Sequence, residues 1–91
     1  MYCISIEFNL NFSTEIQNEN QNHLIYIASQ RDKIFFGGVL QNEENIKNGI
    51  VYIVKFNSYE EAFTFLSKDP YFNFVENYQI NKFSLKINSH E

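Results

Sequence analysis

The chain has few of the features that mark secreted, membrane-spanning or nucleic-acid-binding proteins. It has one cysteine in 91 residues, so an internal disulfide cannot form. Seven basic residues are scattered among eleven acidic ones, giving a formal net charge of −4 and no basic cluster to neutralise phosphates. No apolar run approaches the roughly 20 residues that span a bilayer. We therefore expect neither a nucleic acid nor a membrane as a partner.

Signals for secretion, metal binding and phosphate binding are also missing. Met1 leads directly into an alternating strand pattern, without a basic segment and an apolar stretch, so we expect a cytoplasmic protein. The His, Cys and carboxylate residues nowhere show the spacing of a metal site. Gly37-Gly38 is too short for a phosphate-binding loop and does not lead into a helix. The sequence therefore predicts no metal and no cofactor.

Aromatic residues are abundant for so short a chain. They make up 18% of the sequence, all of them Phe or Tyr, and apolar residues make up 44%. A chain of 91 residues predicts a single domain over residues 1–91. A core of that size buries only a modest share of the surface, so a second buried surface is expected. The simplest source is another copy of the chain, in a homodimer or a higher oligomer.

The first half of the chain predicts a strand, a helix and a second strand. Residues 2–10 alternate apolar with polar side chains, which is the period of a strand with one buried face. Ser13 or Thr14 then offers a helix cap. Spacings of three and four residues predict one helical face that is apolar except at two polar positions. Its residues are Ile16, Asn20, His23, Leu24, Ile27 and Ala28. The helix ends at residues 31–33, and an apolar strand follows over residues 34–40.

The second half predicts a strand, a helix and a last strand. A polar loop over residues 41–48 precedes an apolar strand over residues 50–56. Ser58 and Glu61 form a capping box, S-x-x-E, which begins a helix. Its predicted buried stripe consists of Ala62, Phe63 and Leu66.

The helix stops at Asp69-Pro70, because proline disfavours a helical residue before it. Residues 71–76 predict one more turn, and residues 77–87 the last strand. The apolar phase slips between Ile80 and Phe83, which predicts a bulge there.

The order β-α-β-β-α-β predicts an α+β, ferredoxin-like fold, with an antiparallel sheet and both helices on one face. The strands over residues 34–40 and 50–56 are apolar on both faces. The face without helices would expose a large apolar patch, and such patches usually mark an interface. We therefore expect a homodimer that packs sheet against sheet about a two-fold axis.

Several short motifs occur together in a characteristic order and spacing along nearly the whole chain. They are Met1-Tyr2 in the first strand, His23-Leu24 on the first helix, Gly37-Gly38 after the second strand, Gly49 at the third, Ser58-x-Glu60-Glu61-Ala62 at the second helix, Asp69-Pro70-Tyr71 and Ile80-x-x-Phe83. In this the chain resembles the YciI-like (YCII-related) family of the dimeric α+β barrel group. Two positions depart from the pattern. Asn20 and Asn22 stand where members often carry an Arg, and Gly38 replaces a common Pro.

The resemblance implies a pocket in which a His and an Asp form an acid–base pair, here His23 and Asp69. It also implies relatives that eliminate or isomerise ring compounds. The pocket is expected to include Asn20, Gly37, Gly38 and Tyr71. The departure near His23 removes a bidentate anchor for a carboxylate.

Each of these two residues also has a purely structural interpretation. A histidine at the edge of a core is often only hydrogen-bonded there, whereas a catalytic His23 would accept and return a proton near neutral pH. Asp69 before Pro70 is a good helix cap, and one carboxylate oxygen can cap while the other orients His23. For the lone Cys3, a buried structural thiol is favoured over a nucleophile.

Two functions from different classes follow from these observations. One is a cofactor-free enzyme that moves a proton in a small cyclic or aromatic molecule, in an isomerisation or an elimination. The other is a module on the same fold without turnover, either binding a small ligand or serving only as a structural dimerisation domain.

Overall fold

The computed structural model describes residues 1–86, which form four strands and three helices. The order is the predicted one, except that the first predicted helix is divided into two. The elements are β1 (Tyr2–Phe8), α1 (Ser13–Asn18), α2 (Asn20–Ser29), β2 (Ile34–Gln41), β3 (Lys47–Val54), α3 (Tyr59–Ser67) and β4 (Val75–Lys82). Short 3-10 turns occupy Leu10–Phe12, Arg31–Lys33 and Pro70–Phe74. The predicted end of the last strand at residue 87 lies outside the described residues.

The strands form one antiparallel sheet in the order β2-β3-β1-β4. This is the ferredoxin-like arrangement that the sequence predicts. Alternate residues of β1 are buried against the helices, and antiparallel partners share a face, so the core continues into β3. The buried core of the sheet consists of Tyr2, Ile4, Ile6, Phe8, Ile50, Tyr52 and Val54.

The first predicted helix is divided at Glu19, whose backbone angles of φ −90° and ψ 0° separate α1 from α2. The predicted buried face is also partly wrong. Leu24 is 50% exposed and Ala28 is exposed, whereas Tyr26 is half-buried and donates its hydroxyl hydrogen to the carbonyl of Phe65 at 2.7 Å. The flank with Leu24 is uncovered because a cavity separates it from the sheet.

The capping box of α3 is present with one change of partner. Ser58 Oγ accepts from the backbone N–H of Glu61 at 3.1 Å. The Glu61 carboxylate accepts from the backbone N–H of Asn57, rather than that of Ser58, and also from the Ser58 hydroxyl at 3.4 Å. Phe65 is buried with Ala62 and Leu66, and the predicted Phe63 is only half-buried. The helix ends at Ser67, just before Asp69-Pro70 as predicted.

The irregular pairing in the last strand does not lie where the sequence predicts it. Pairing of β4 with β1 is regular from Asn77 to Lys82, and the register shifts instead between Val75 and Asn77. The phase change at Phe83 marks the end of β4, since the ladder of paired residues stops at Lys82. Among residues 1–86, no helix is both long enough and apolar enough to cross a bilayer.

Candidate active site

Asp69 is placed by the turn that follows α3. It is the N-cap of the 3-10 turn Pro70–Phe74, with proline at the first position, and its Oδ1 accepts from the backbone N–H of Tyr71 at 2.9 Å. The predicted cap is therefore present. The side chain is nevertheless buried, with 4% of the residue exposed. A buried carboxylate needs further partners, since an unpaired buried charge is costly.

His23, on the buried side of α2, supplies that partner. Its Nδ1 lies 2.9 Å from both carboxylate oxygens of Asp69. An ionised carboxylate can only accept, so Nδ1 carries the hydrogen and donates it. Nε2 has no hydrogen-bond partner among residues 1–86. His23 lines a cavity, described below, although the residue as a whole is buried. In the neutral ring the free lone pair is therefore on Nε2.

Tyr71 fixes the plane of the imidazole. The two rings stack with centroids 4.0 Å apart and an interplanar angle of 10°. Phe8 packs edge-on against the Tyr71 ring at 5.3 Å. The Tyr71 hydroxyl donates to Oδ1 of Asn20 at 2.8 Å. Residues 69–71 therefore fix His23 in two ways. Asp69 accepts a hydrogen bond from the edge of the imidazole, and Tyr71 stacks on the face of that ring.

The negative charge of Asp69 acts on the tyrosines around it. Burial raises the pKa of Tyr71, and the Asp69 carboxylate raises it further. The same two causes raise the pKa of Tyr26 to about 12, and they raise that of Tyr52 above its ordinary range. All three phenols therefore stay protonated near neutral pH. Tyr71 accordingly acts as a hydrogen-bond donor.

A cavity of about 470 Å³ opens between α1, α2 and the β2–β3 side of the sheet. Of the predicted site residues, His23, Asn20 and Tyr71 line it, while Asp69 lies behind His23 and does not. Most of the wall is apolar: Phe8, Leu10, Ile16, Leu24, Val39 and Ile50. A concave, mostly apolar space of this volume with a few polar groups is typical of a small-molecule site.

The structure does not place Gly37 and Gly38 in this cavity. A Cβ at Gly37 would lie 2.9 Å from Cδ1 of Tyr52, so the glycine makes room for that ring. A Cβ at Gly38 would meet nothing within 4 Å. Gly37 therefore serves the packing of Tyr52, and neither glycine is among the residues that line this cavity.

Three polar residues in the wall are missed by sequence reasoning, namely Ser13, Gln17 and Lys47. Ser13 and Gln17 lie about one turn apart on α1, and Ile16 of the same helix also lines the cavity. Lys47 falls in the segment predicted as a loop, so no pattern associated it with the helix face. Within residues 1–86, no group of three or more His, Cys or carboxylate side chains could hold a metal ion.

Comparison with known proteins gives a match of fold. No protein-family model and no curated protein matches the chain. Among solved structures, the chain is similar to 5-chloro-2-hydroxyhydroquinone dehydrochlorinase from Burkholderia phenoliruptrix, solved in complex with 2,5-dihydroxybenzoquinone. The TM-score is 0.80 at 17% sequence identity, over 91% of this chain and 92% of that one. At this level of identity the match shows a shared fold.

Proposed function

We propose that the protein is a cofactor-free enzyme that moves a proton within a small cyclic or aromatic molecule, with His23 as the base. The observation that carries this proposal is the contact of His23 Nδ1 with both oxygens of Asp69 at the wall of the cavity. A general base needs a free lone pair facing its substrate and a fixed orientation. In this proposal Nε2 of His23 supplies the lone pair, and the contacts with Asp69 and Tyr71 support a fixed orientation of the ring.

The proposed chemistry begins when Nε2 of His23 takes a proton from a carbon of the bound ring. The electron pair of the broken C–H bond moves into the ring system. In an isomerisation the proton returns to a different carbon, and in an elimination the electron pair expels a leaving group as its anion. The imidazolium that forms is stabilised by Asp69, whose charge lies 2.9 Å from Nδ1. General-base catalysis of this kind contributes about 10²–10⁴-fold in rate.

The substrate class follows from the cavity and from the fold neighbour. The wall is apolar and aromatic, which suits a ring compound. The neighbour is a dehydrochlorinase, so its scaffold hosts the loss of HCl from a chlorinated hydroxyhydroquinone. Both observations favour elimination or isomerisation on a small ring over chemistry on a polymer.

The test compares the same substitution at the two histidines of the chain. His23→Gln removes the base, and His90→Gln is the matched control. The first compound to assay is 5-chloro-2-hydroxyhydroquinone, with chloride release as the readout. A wider panel of small cyclic C–H acids follows, with deuterium uptake from solvent by NMR as the readout.

We expect turnover by the wild type and His90→Gln, and a loss of about 10²–10⁴-fold in His23→Gln. Equal rates in all three proteins would exclude His23 as the base. Binding of panel compounds in the cavity without any turnover would instead favour the ligand-binding module.

We further propose that the protein works as a homodimer joined through the sheet face that the helices leave open. Register places apolar side chains on that face, of which Phe36 and Leu40 are exposed, Cys3 and Val51 are half-buried and Ile53 is already buried in the single chain. Phe36 is 49% exposed and Leu40 is 39% exposed in the single chain. An apolar patch of this kind favours association with a second copy.

Sedimentation velocity tests the dimer directly. The wild type should sediment near twice the 10.8 kDa of one chain at micromolar concentration. Phe36→Glu should shift it to the monomer, because it places a charge in the proposed interface. Ile25→Glu is the matched control on the surface of α2, where Ile25 is 61% exposed, and should leave the dimer intact. A wild type that remains monomeric at high concentration contradicts the proposal.

A further inference from the structure

A single irregularity in the pairing of β2 with β3 determines where Lys47 points. Leu40 pairs with Gly49, but the next residue, Gln41, pairs with Lys47. One step along β2 therefore corresponds to two along β3, so Asn48 is the extra residue of a β-bulge. In a regular strand, residues two apart share a face, and Lys47 would lie on the outer face with Gly49. The bulge moves it to the other face.

The surroundings of the two residues agree with this geometry. Asn48 lines a groove on the outer face of the sheet, together with Ser5 and Glu7. Lys47 lines the His23 cavity, as do Gly49 and Ile50 of the same strand. Bulges beside active sites commonly re-aim a side chain in this way.

Lys47 brings to the cavity a positive charge that no wall residue balances. No Asp or Glu is among the residues that line it. The Asp69 carboxylate behind His23 is occupied by that ring and by the N–H of Tyr71. Among residues 1–86, the ion pair that the structure contains is the contact of His23 with Asp69. Lys47 forms no ion pair with these residues.

We propose that the His23 cavity takes an anionic ring compound, one bearing a carboxylate or an ionised enol or phenol oxygen, and that Lys47 binds its charge. The inference rests on the proposed function, since it assumes that a small molecule enters this cavity. A lysine acts there as a point charge rather than a bidentate clamp, so it selects for charge and tolerates different anion geometries. Asn20 and Tyr71 complete the polar part of the wall.

Benzoate and benzamide form a matched pair of probes, because they share a ring and differ in charge. Each is titrated into the ¹⁵N-labelled protein, and binding is followed at the backbone amides of Asn20, His23 and Ile50. The wild type should bind benzoate about tenfold more tightly than benzamide, which corresponds to about 1.4 kcal/mol. The preference should shrink as ionic strength rises above about 0.1 M, because Lys47 is exposed and salt screens its charge.

Three variants separate the role of Lys47 from a general effect of charge. Lys47→Met should weaken benzoate to the level of benzamide and leave benzamide unchanged. Lys47→Arg should keep most of the preference, because it keeps the charge. Lys55→Met, an exposed lysine just beyond the far end of β3, should behave as the wild type.

The possible outcomes distinguish this inference from the proposed function. If wild type binds both probes equally in the cavity, or Lys47→Met keeps the preference, the anion inference is wrong and the small-molecule site stands. If benzoate is preferred through Lys47 but His23→Gln leaves turnover unchanged, the anion site stands and the proposed base is wrong. If neither probe perturbs the cavity amides, the anion inference is contradicted, and the turnover assay with His23→Gln decides the proposed function separately.

Discussion

Two substitutions of Asp69 separate its structural role from its effect on His23. In Asp69→Ala, the turn Pro70–Phe74 loses its cap, which costs about 0.5–2 kcal/mol. The Nδ1–H of the buried His23 also loses its acceptor, which costs about 1–3 kcal/mol. The sum is about 1.5–5 kcal/mol, a large share of the roughly 5–15 kcal/mol by which domains are stable.

Asp69→Asn should behave differently, because asparagine caps about as well as aspartate. Its carbonyl oxygen can keep the bond from the Tyr71 N–H. Its NH₂ group then takes the place of Oδ2, which lies 2.9 Å from Nδ1 of His23. Two donors cannot face each other, so Nδ1 should become the acceptor and the hydrogen should move to Nε2. We expect a stability loss of only about 1 kcal/mol, together with a change of tautomer and loss of the proposed base.

Urea unfolding followed by circular dichroism measures the stability difference, and ¹⁵N chemical shifts of the imidazole report the tautomer of the neutral ring. The same pair of substitutions at Asp32, exposed in the turn Arg31–Lys33, is the control and should change stability by less than about 0.5 kcal/mol. Equal destabilisation by Asn and Ala at position 69 would refute the capping argument. An unchanged tautomer in Asp69→Asn would refute the predicted change and would mean that Nδ1–H still donates to the oxygen at the Oδ1 position, which also lies 2.9 Å away.

Three further predictions concern packing and buried hydroxyls. Gly49→Ala should destabilise strongly in urea unfolding, because the added Cβ would collide with the carbonyl oxygen of Ile6, whereas Gly38→Ala has free space and should change little. Tyr52→Phe should be neutral or stabilising, since its buried Oη has no partner among residues 1–86, while Tyr26→Phe should cost about 1 kcal/mol for a lost hydrogen bond. The pKa of Tyr26 is raised from 10.0 to about 12 in the folded chain, so its neutral form stabilises the fold below pH 10, and this contribution is lost as pH rises through 12. Unfolding free energies over that range should fall less steeply in Tyr26→Phe than in the wild type.

The elements that sequence reasoning predicted well are those with strong local signals. Strict alternation defines β1, and the Ser58–Glu61 capping box defines the start of α3. The cap at Asp69-Pro70 is equally local, since three consecutive residues contain all of its atoms. The segment around Glu19 carries weaker signals: three asparagines close together are poor helix formers, and nothing in the pattern indicated the break.

Errors about which side chains are buried have a different cause. Leu24 has the spacing of a core residue, but it borders a cavity, and spacing cannot tell a packed face from a cavity wall. Gly37 shows a similar ambiguity. In sequence, a glycine that makes room for Tyr52 looks the same as a glycine that makes room for a ligand. In both cases the missing information is which residue of another element lies opposite.

The candidate site combines residues that differ in how far the sequence can place them. His23 and Asp69 are 46 residues apart, and the family resemblance, rather than any local pattern, suggested their contact. The presence of Lys47 in the cavity wall could not be predicted from the sequence, because strand alternation assigns it to the wrong face. Counting alternate residues back from Ile50 puts Lys47 on the outer face, and the bulge at Asn48 reverses that result. Asparagine beside a glycine in a strand is compatible with a bulge, but it does not say which residue is extra. Alternation therefore assigns faces only as far as the first bulge, and in this chain the bulge decides whether the cavity contains a positive charge.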